Sequence, residues 1–436
     1  MWRNKLLAAA RYGCVIAVVF LVVHVCQRAL CGPNMLSPLE ALGFVLLAGM
    51  AMGELVQLIG FPKLTGYMAL GVLSGPFGFA FFGIEEMDSL SWMNELAMGL
   101  IALTAGSELH MKQLTQGGKS LLWAVCGHAI CIPLVMAGVF VALSPYLGLP
   151  TQLSFGAVLA LSVLWGVLAL SKAPADTLAI LKETGARHRF AQHVLGVVIL
   201  TDVMVLILFD LTALFAKASL QPHMHVSLHH LVHLLANLGA SCAAGISFGL
   251  VIAAWFWLTG DDLRVGITFC IVSAFVVGAG CNYLQYDTLL VFMTAGFVVH
   301  NLSGQGLRLE HAVQNLSFGV MILFFATAGA SLNLKALVTL WPFALALAGA
   351  RMLVTFAASY WGHAMAHDPP AWRTRSHAAF ISQAGVTLGM ANLVAQQLGA
   401  TGQQIALLTV AVVGVNELIG PVAFKWVLVR QRQYLT

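Results

Sequence analysis

Apolar runs of about twenty residues or more recur along almost the whole chain. Each is long enough to cross roughly 30 Å of hydrocarbon as a helix. Fourteen can be read: 8–28, 38–60, 61–83, 91–110, 119–147, 151–183, 189–217, 228–259, 263–281, 283–303, 310–334, 336–364, 373–399 and 403–430. The strands of a membrane barrel would alternate polar and apolar residues, and these runs do not. Charged residues make up only 9% of the chain and mean hydropathy is +0.89, whereas a soluble domain carries roughly 25% charge. The expectation is an all-α polytopic membrane protein with about 13–14 transmembrane helices.

Loop charges set the orientation. With a cytoplasmic N-terminus, the inside loops and tails hold sixteen Lys/Arg, among them Arg3, Lys5, Arg11, Lys112, Lys119, Arg187, Arg189, Arg373, Arg375, Arg430 and Arg432. The outside loops hold three, Arg28, Lys217 and Lys335, beside the acidic Glu85, Glu86 and Asp88. This satisfies the positive-inside rule with both termini cytoplasmic. The net charge of +4 is thus a topology signal rather than one for nucleic acid. Two basic residues remain inside helices, Lys172 and Arg351.

Several features are weak signals. Residues 1–37 carry a short apolar part that also fits a signal peptide, but no A-x-A site follows, which favours a retained transmembrane segment or signal anchor. Eight cysteines show no C-x-x-C spacing and read as small apolar residues; Cys26 and Cys31 are placed to bridge outside, with nothing demanding it. The segment "HMHVSLHHLVH" (223–233) suits either a metal or pH-sensing role or, better, a hydrated loop. Only six residues follow Arg430, so no nucleotide-binding domain is expected there. No nucleophile–base set, phosphate loop or H-E-x-x-H motif points to an enzyme, and no cofactor is expected, nor any metal beyond a transported cation.

Internal repeats decide the architecture. "ALTAGSELHMKQL" (102–114) parallels "FATAGASLNLKAL" (325–337), "SKAPADTLAIL" (171–181) parallels "SQAGVTLGMANL" (382–393), and "VVILTDV" (197–203) parallels "VVGVNEL" (412–418). The matches keep their order, and partners lie seven segments apart. Seven is odd, so partners cross in opposite directions. The two halves form an inverted five-helix repeat, 61–217 and 283–430. Secondary transporters are built this way, with broken helices crossing at the midplane. The expected breaks are at Ser171 and Pro174 in one half and at Gln383 and Gly385 in the other, because Pro lacks an N–H donor and Gly weakens a helix.

The last match sets Asp202 opposite Glu417. Asp202 lies in "LGVVILTDVMVLILFDL" (195–211), and a carboxylate at bilayer depth costs ~2.5–3.5 kcal/mol even on the lenient insertion scale. Either a partner compensates it or it titrates in the protein's work.

The motif order resembles the monovalent cation:proton antiporter superfamily, in the branch with glutathione-gated potassium efflux systems. "LTGYMALGVLSGP" (64–76) is similar to its G-Y-x-x-x-G-x-x-x-G-P helix, and "LGVVILTDV" to its ion-site helix. "FFATAGASLNL" (324–334) is similar to its F-F-x-x-x-G segment and "NELIGPVAFK" (416–425) to its last helix. The resemblance implies a homodimer in which scaffold helices (38–110 and 263–334) hold still while an ion-translocating core (119–217 and 336–430) moves; 228–259 links them. It implies that Asp202 binds cation and proton in competition, and that Arg351 lies in the helix where the family places a Lys or Arg near the ion. Arginine stays protonated, so the proton should ride on Asp202. Members with two adjacent acids tend to be electrogenic; Thr201 precedes Asp202 here, so electroneutral exchange is expected. Thr201 either lends its hydroxyl to the ion or bonds its own helix.

One departure stands out. The family usually has Thr, then Ser or Asp, before the first proline, where this chain has Lys172 and Ala173, with Asp176 beyond. Lys172 either pairs with Asp202, in the cation's place, or with Asp176. Glu417 either bears a second proton or makes a structural hydrogen bond. The expected function is exchange of Na⁺ or K⁺ for H⁺ by alternating access in a bacterial-type plasma membrane, with lipid as surroundings and no nucleic acid. The alternatives are an anion transporter, suggested by Lys172 with Arg351, a channel on the same scaffold, or a non-transporting sensor.

Overall fold

The computed structural model describes residue 13 and residues 38–430 apart from 80, 82–90, 108, 110, 112–117, 148–152, 187, 221–227, 261–262, 331–333 and 384. The N-terminal segment with Cys26 and Cys31, the acidic cluster at 85–88, and the side chains of the histidine-rich segment lie outside the described residues. Lys112, Arg187 and the side chain of Lys335 do so too. The described elements are helical, with no strand among them. In chain order they are α1 (Pro38–Leu58), α2 (Lys63–Ser74), α3 (Ser91–Ser107), α4 (Gly118–Leu143), α5 (Phe155–Leu170), α6 (Pro174–Thr184) and α7 (Arg189–Leu220). Then follow α8 (Leu228–Thr259), α9 (Leu263–Leu284), α10 (Thr288–Leu302), α11 (Gly306–Ala330) and α12 (Leu334–Met365). The last three are α13 (Pro370–Arg375), α14 (Gly385–Gln397) and α15 (Gly399–Arg430), with a 3₁₀ turn at Ser376–Phe380. Among the described residues, eight helical spans are long and apolar enough to cross a membrane. Leu134, Trp257 and Leu353 are each at least two-thirds exposed, as suits helices solvated by hydrocarbon rather than water.

Local chemistry sets the element ends. The Ser154 hydroxyl accepts from Ala157 N–H at 3.2 Å and caps α5, and the Asp287 carboxylate accepts from Leu290 N–H at 2.7 Å and caps α10. Gly185 takes a left-handed φ of 63° to close α6, which only glycine adopts without strain. The apolar run 61–83 does not give one crossing helix. α2 stops at Ser74 because Gly75 and Pro76 follow, and the chain turns back with Phe79 N–H bonded to Leu73 C=O at 2.6 Å.

The chain divides into two units. Unit 1 comprises residues 1–110 and 240–334. Its core includes Leu100, Leu103, Phe248, Phe256, Phe292 and Val299, all buried. Two helix pairs within it meet backbone to backbone. A Cβ on Gly71 of α2 would strike the Ala326 carbonyl of α11, and one on Gly329 would strike the Met68 carbonyl. The same contacts recur where α10 meets α3: Gly296 against the Leu103 carbonyl, Gly106 against that of Met293. Thr104 and Thr327, one residue from these contacts in each T-A-G motif, both donate to the carbonyl four residues back at 2.8 Å. The repeated sequence thus makes repeated packing, residue for residue, of the small-residue type that lets membrane helices approach closely.

Unit 2 comprises residues 111–239 and 335–436. Its core runs from Ile132, Met136 and Phe140 through Leu164 and Trp165 to Val205, Leu347 and Val412, with Phe140 stacked on Trp165 at 5.5 Å. Lys425 ties α15 to Glu183 of α6 at 2.8 Å. Both breaks, and every buried charge discussed next, belong to this unit.

Candidate functional site

The first break is three residues long. α5 ends at Leu170, and Ser171 and Ala173 are extended, at φ −55°, ψ 147° and φ −112°, ψ 93°. Pro174 then opens α6. Proline forces the residue before it out of the helical region, so the sequence dictates where the helix stops. The second break follows the 3₁₀ turn at Ser376–Phe380, with Ser382 and Gln383 outside any helix and Gly385 opening α14. The two breaks lie side by side: Thr387 donates to the Ser171 hydroxyl at 3.0 Å, and Gln383 Nε2 donates to Leu168 C=O at 3.0 Å. Asn416 of α15 holds Gln383 in turn, at 2.8 Å to its Oε1.

Breaking two helices frees carbonyls that a helix would have used, and in a membrane interior water is not there to satisfy them. Arg351 does this. Fully buried on α12, it donates Nε to Ala169 C=O at 2.7 Å and Nη2 to Ser171 C=O at 2.8 Å. Nη1 reaches Ile381 C=O at 2.6 Å and Nη2 also Phe380 C=O at 3.3 Å. Four of the five guanidinium donor positions are thereby engaged with main chain, two carbonyls from each break. The Glu417 carboxyl adds electrostatic compensation.

The remaining charges fall into two groups. Lys172, 1% exposed, sits in the first break with its Nζ 5.5 Å from the centroid of the Phe380 ring, and Nζ has no hydrogen-bond partner among the described residues. The charges that act on it are those of Asp202 and Arg351. Asp202 is 6% exposed on α7. Asp176 belongs to the other group, buried and in electrostatic reach of Glu417, and neither carboxyl has a hydrogen-bond partner among the described residues. Two carboxylates have no proton between them and repel, so a buried pair of this kind is tolerated when it shares one proton. Neither pairing open to Lys172 is made as a hydrogen bond, and the acidic charge that acts on it is that of Asp202. Thr201 donates to Val197 C=O at 2.6 Å within its own helix, so only its oxygen lone pair remains to offer a cation.

All ten residues singled out from sequence, Asp202, Thr201, Arg351, Lys172, Asp176, Glu417, Ser171, Pro174, Gln383 and Gly385, lie in unit 2. The sequence reading missed Phe380, Thr387, Ser382 and Asn416. Asn416 had a signal, since it aligns with Thr201 in the repeat; the others are ordinary residues for a membrane helix.

No curated protein sequence matches the chain. The fold is similar to that of the sodium proton antiporter MjNhaP1 from Methanocaldococcus jannaschii, solved at pH 8. The TM-score is 0.71 at 14% identity, covering 91% of this chain and 98% of that one. A second structure of the same antiporter, from electron microscopy, gives 0.68 at 14% identity, covering 88% and 93%. At this identity the likeness speaks for the fold. The sequence itself matches the family model described as sodium/hydrogen exchanger, transmembrane, over residues 42–430, which takes in both breaks, Asp202 and all but the ends of the chain. A polytopic helical chain with that match throughout belongs to the sodium/hydrogen exchanger transmembrane family, a family of transporters and not of enzymes.

Proposed function

We propose that the protein exchanges a monovalent cation, Na⁺ or K⁺, for a proton, with Asp202 as the group for which the two compete. The observation that carries this reading is that Asp202 is buried at 6% exposure on α7, in the same unit as Lys172, a buried lysine held in a helix break without a hydrogen bond among the described residues. A cation that displaced the ammonium group would find a carboxylate already desolvated. Family membership and the fold likeness to a sodium proton antiporter support the same reading.

The finer statements belong to this proposal as well. A single carboxyl at this position, with Thr201 rather than a second acid before it, supports one-for-one, electroneutral exchange. Alternating access would move unit 2, which holds the breaks, against unit 1 acting as the scaffold of a homodimer. The basic ends near Lys119, Arg189 and Arg373 would face the cytoplasm of a bacterial-type plasma membrane. The anion reading loses support from Arg351, whose donor positions are mostly engaged with carbonyls and so are not on offer to an anion.

Proteoliposomes loaded with a pH dye and given Na⁺, K⁺ or Li⁺ in turn test the proposal. Proton movement driven by one of these cations and abolished by Asp202→Asn, in a variant that still extracts as a folded protein, is the expected result. Exchange by the Asn variant at the parent rate would make Asp202 structural and end this reading.

A further inference from the structure

In unit 2, two histidines and an aspartate come together from separate elements. His193 stands in the second turn of α7, His363 in the last turn of α12, and Asp368 in the loop after it. One nitrogen from each ring and a carboxylate oxygen of Asp368 all lie within 4.8 Å of one another. The ring centroids are 5.0 Å apart, and the side chains are 8%, 0% and 12% exposed. Asp368 Oδ2 accepts from the Ser120 hydroxyl at 2.6 Å and pairs with His363 Nδ1 at 2.8 Å, while Ser120 Oγ is 3.5 Å from His193 Nδ1. The Nε2 atoms of both histidines are buried with no hydrogen-bond partner among the described residues. Burial works against the charged form of Asp368, but the hydrogen bonds from His363 and Ser120 outweigh it and keep the carboxyl below its ordinary range.

A buried imidazole nitrogen without a partner is costly, and two side by side call for an occupant. The Asp368 carboxylate is held 2.8 Å from His363 Nδ1, so an ion that took both as ligands would replace that hydrogen bond. We propose that His193, His363 and Asp368 form a binding site for a transition-metal dication of the zinc class, separate from the site of the transported cation. Two histidines and a carboxylate make a donor set suited to such ions, with a position left for water. Tetrahedral ligands at zinc distances stand roughly 3.4 Å apart, so the set must tighten by about an ångström. Asp368, in a loop, can supply much of that movement and marks the entry path. The ring of Trp372, 4.9 Å from that of His193, closes one side. An ion here would pin the start of α7 to the end of α12, the helices that carry Asp202 and Arg351.

The test uses the full chain, purified without a histidine tag and titrated with Co²⁺, whose visible absorption reports low-coordinate nitrogen and oxygen ligation. A control variant with His223, His225, His229, His230 and His233 all changed to Gln removes the histidine-rich segment as a competing site. The expected result is one saturable Co²⁺ per chain, kept by the control and weakened at least tenfold by His193→Gln and by Asp368→Asn. Asp368→Asn, at the edge of the cluster, guards against a folding failure of the more buried substitution, and melting curves without metal verify both. Absence of saturable absorption up to millimolar Co²⁺ in folded protein, or full-strength binding by either variant, overturns the proposal. Binding is read without transport, so its failure is distinct from a failure of the antiport reading.

Discussion

Replacing Arg351 with Met keeps most of the side-chain volume and removes the charge and the donors, and the structure sets the size of the effect. Four carbonyls, those of Ala169, Ser171, Phe380 and Ile381, lose their partner at once. At ~0.6 kcal/mol for an average membrane hydrogen bond the loss is about 2.4 kcal/mol. At ~1.5 kcal/mol for a bond to a charged group it is about 6 kcal/mol. The expected destabilisation is therefore about 2–6 kcal/mol, read as a drop of several degrees in melting temperature in detergent. Arg351→Lys should recover only part of it, because an ammonium has three donors from one point and cannot span both breaks. Measuring unfolding of the parent, Met and Lys proteins orders the three. A Met variant that melts with the parent would refute the view that this guanidinium braces the broken helices.

Lys172→Thr should lower the half-saturating cation concentration in proteoliposome exchange, since it removes the positive charge that interacts with Asp202; an unchanged value with a loss of melting temperature would show a structural lysine instead. Asp176→Asn should melt within about 1 kcal/mol of the parent because an amide supplies the donor that the shared proton supplied, while Asp176→Leu should lose roughly 1–3 kcal/mol more by leaving Glu417 without a partner. Equal melting of the two variants would exclude a shared proton. Gly71→Val and Gly296→Val should each cost about 1–3 kcal/mol or more in thermal unfolding, since both drive a side chain into a neighbouring backbone, while Gly43→Ala, with open space around it, should be silent. A tolerated Gly296→Val would break the equivalence of the two halves of unit 1.

What was legible in the sequence was what a membrane makes expensive. Polar and charged groups are rare enough in these helices that Asp202, Lys172, Arg351 and Glu417 announce themselves, and a proline after a small residue fixes the first break within three residues. The T-A-G repeat was visible because only small residues permit the crossings in which Gly106 and Gly329 take part. Less legible was who partners whom. Lys172 had two acidic neighbours to choose from, and the choice depends on how α6 and α7 place Asp176 and Asp202 in space, which spacing along the chain does not encode. Arg351 read as a charge near the ion, and its bonds to main-chain carbonyls of both breaks, on segments far away in sequence, had no signal in the chain. The length of α2 was overestimated for a related reason: hydropathy continues through residues 75–83, but the backbone cannot continue as a helix past Gly75 and Pro76. The cluster of His193, His363 and Asp368 left no signature at all, since its members lie on three elements and each has an ordinary reading alone.

The buried charges also constrain how exchange can work. Two basic residues, Lys172 and Arg351, and three carboxyl groups, Asp202, Asp176 and Glu417, are buried in unit 2. Were Asp176 and Glu417 to share one proton, the set would be neutral with Asp202 ionised and Lys172 charged. A desolvated site tolerates net charge poorly. On the proposed reading an arriving monovalent cation adds one positive charge to the set, so a proton would leave as it binds, in competition for Asp202. A site without Lys172 would lack one positive charge and would hold a cation in the resting state instead. Lysine in the place where the family usually has an oxygen donor therefore raises the threshold for loading and keeps the empty site neutral. On this argument coupling would be a property of the charge balance of the set, and Asp202 is the proposed member through which the cation would reach it.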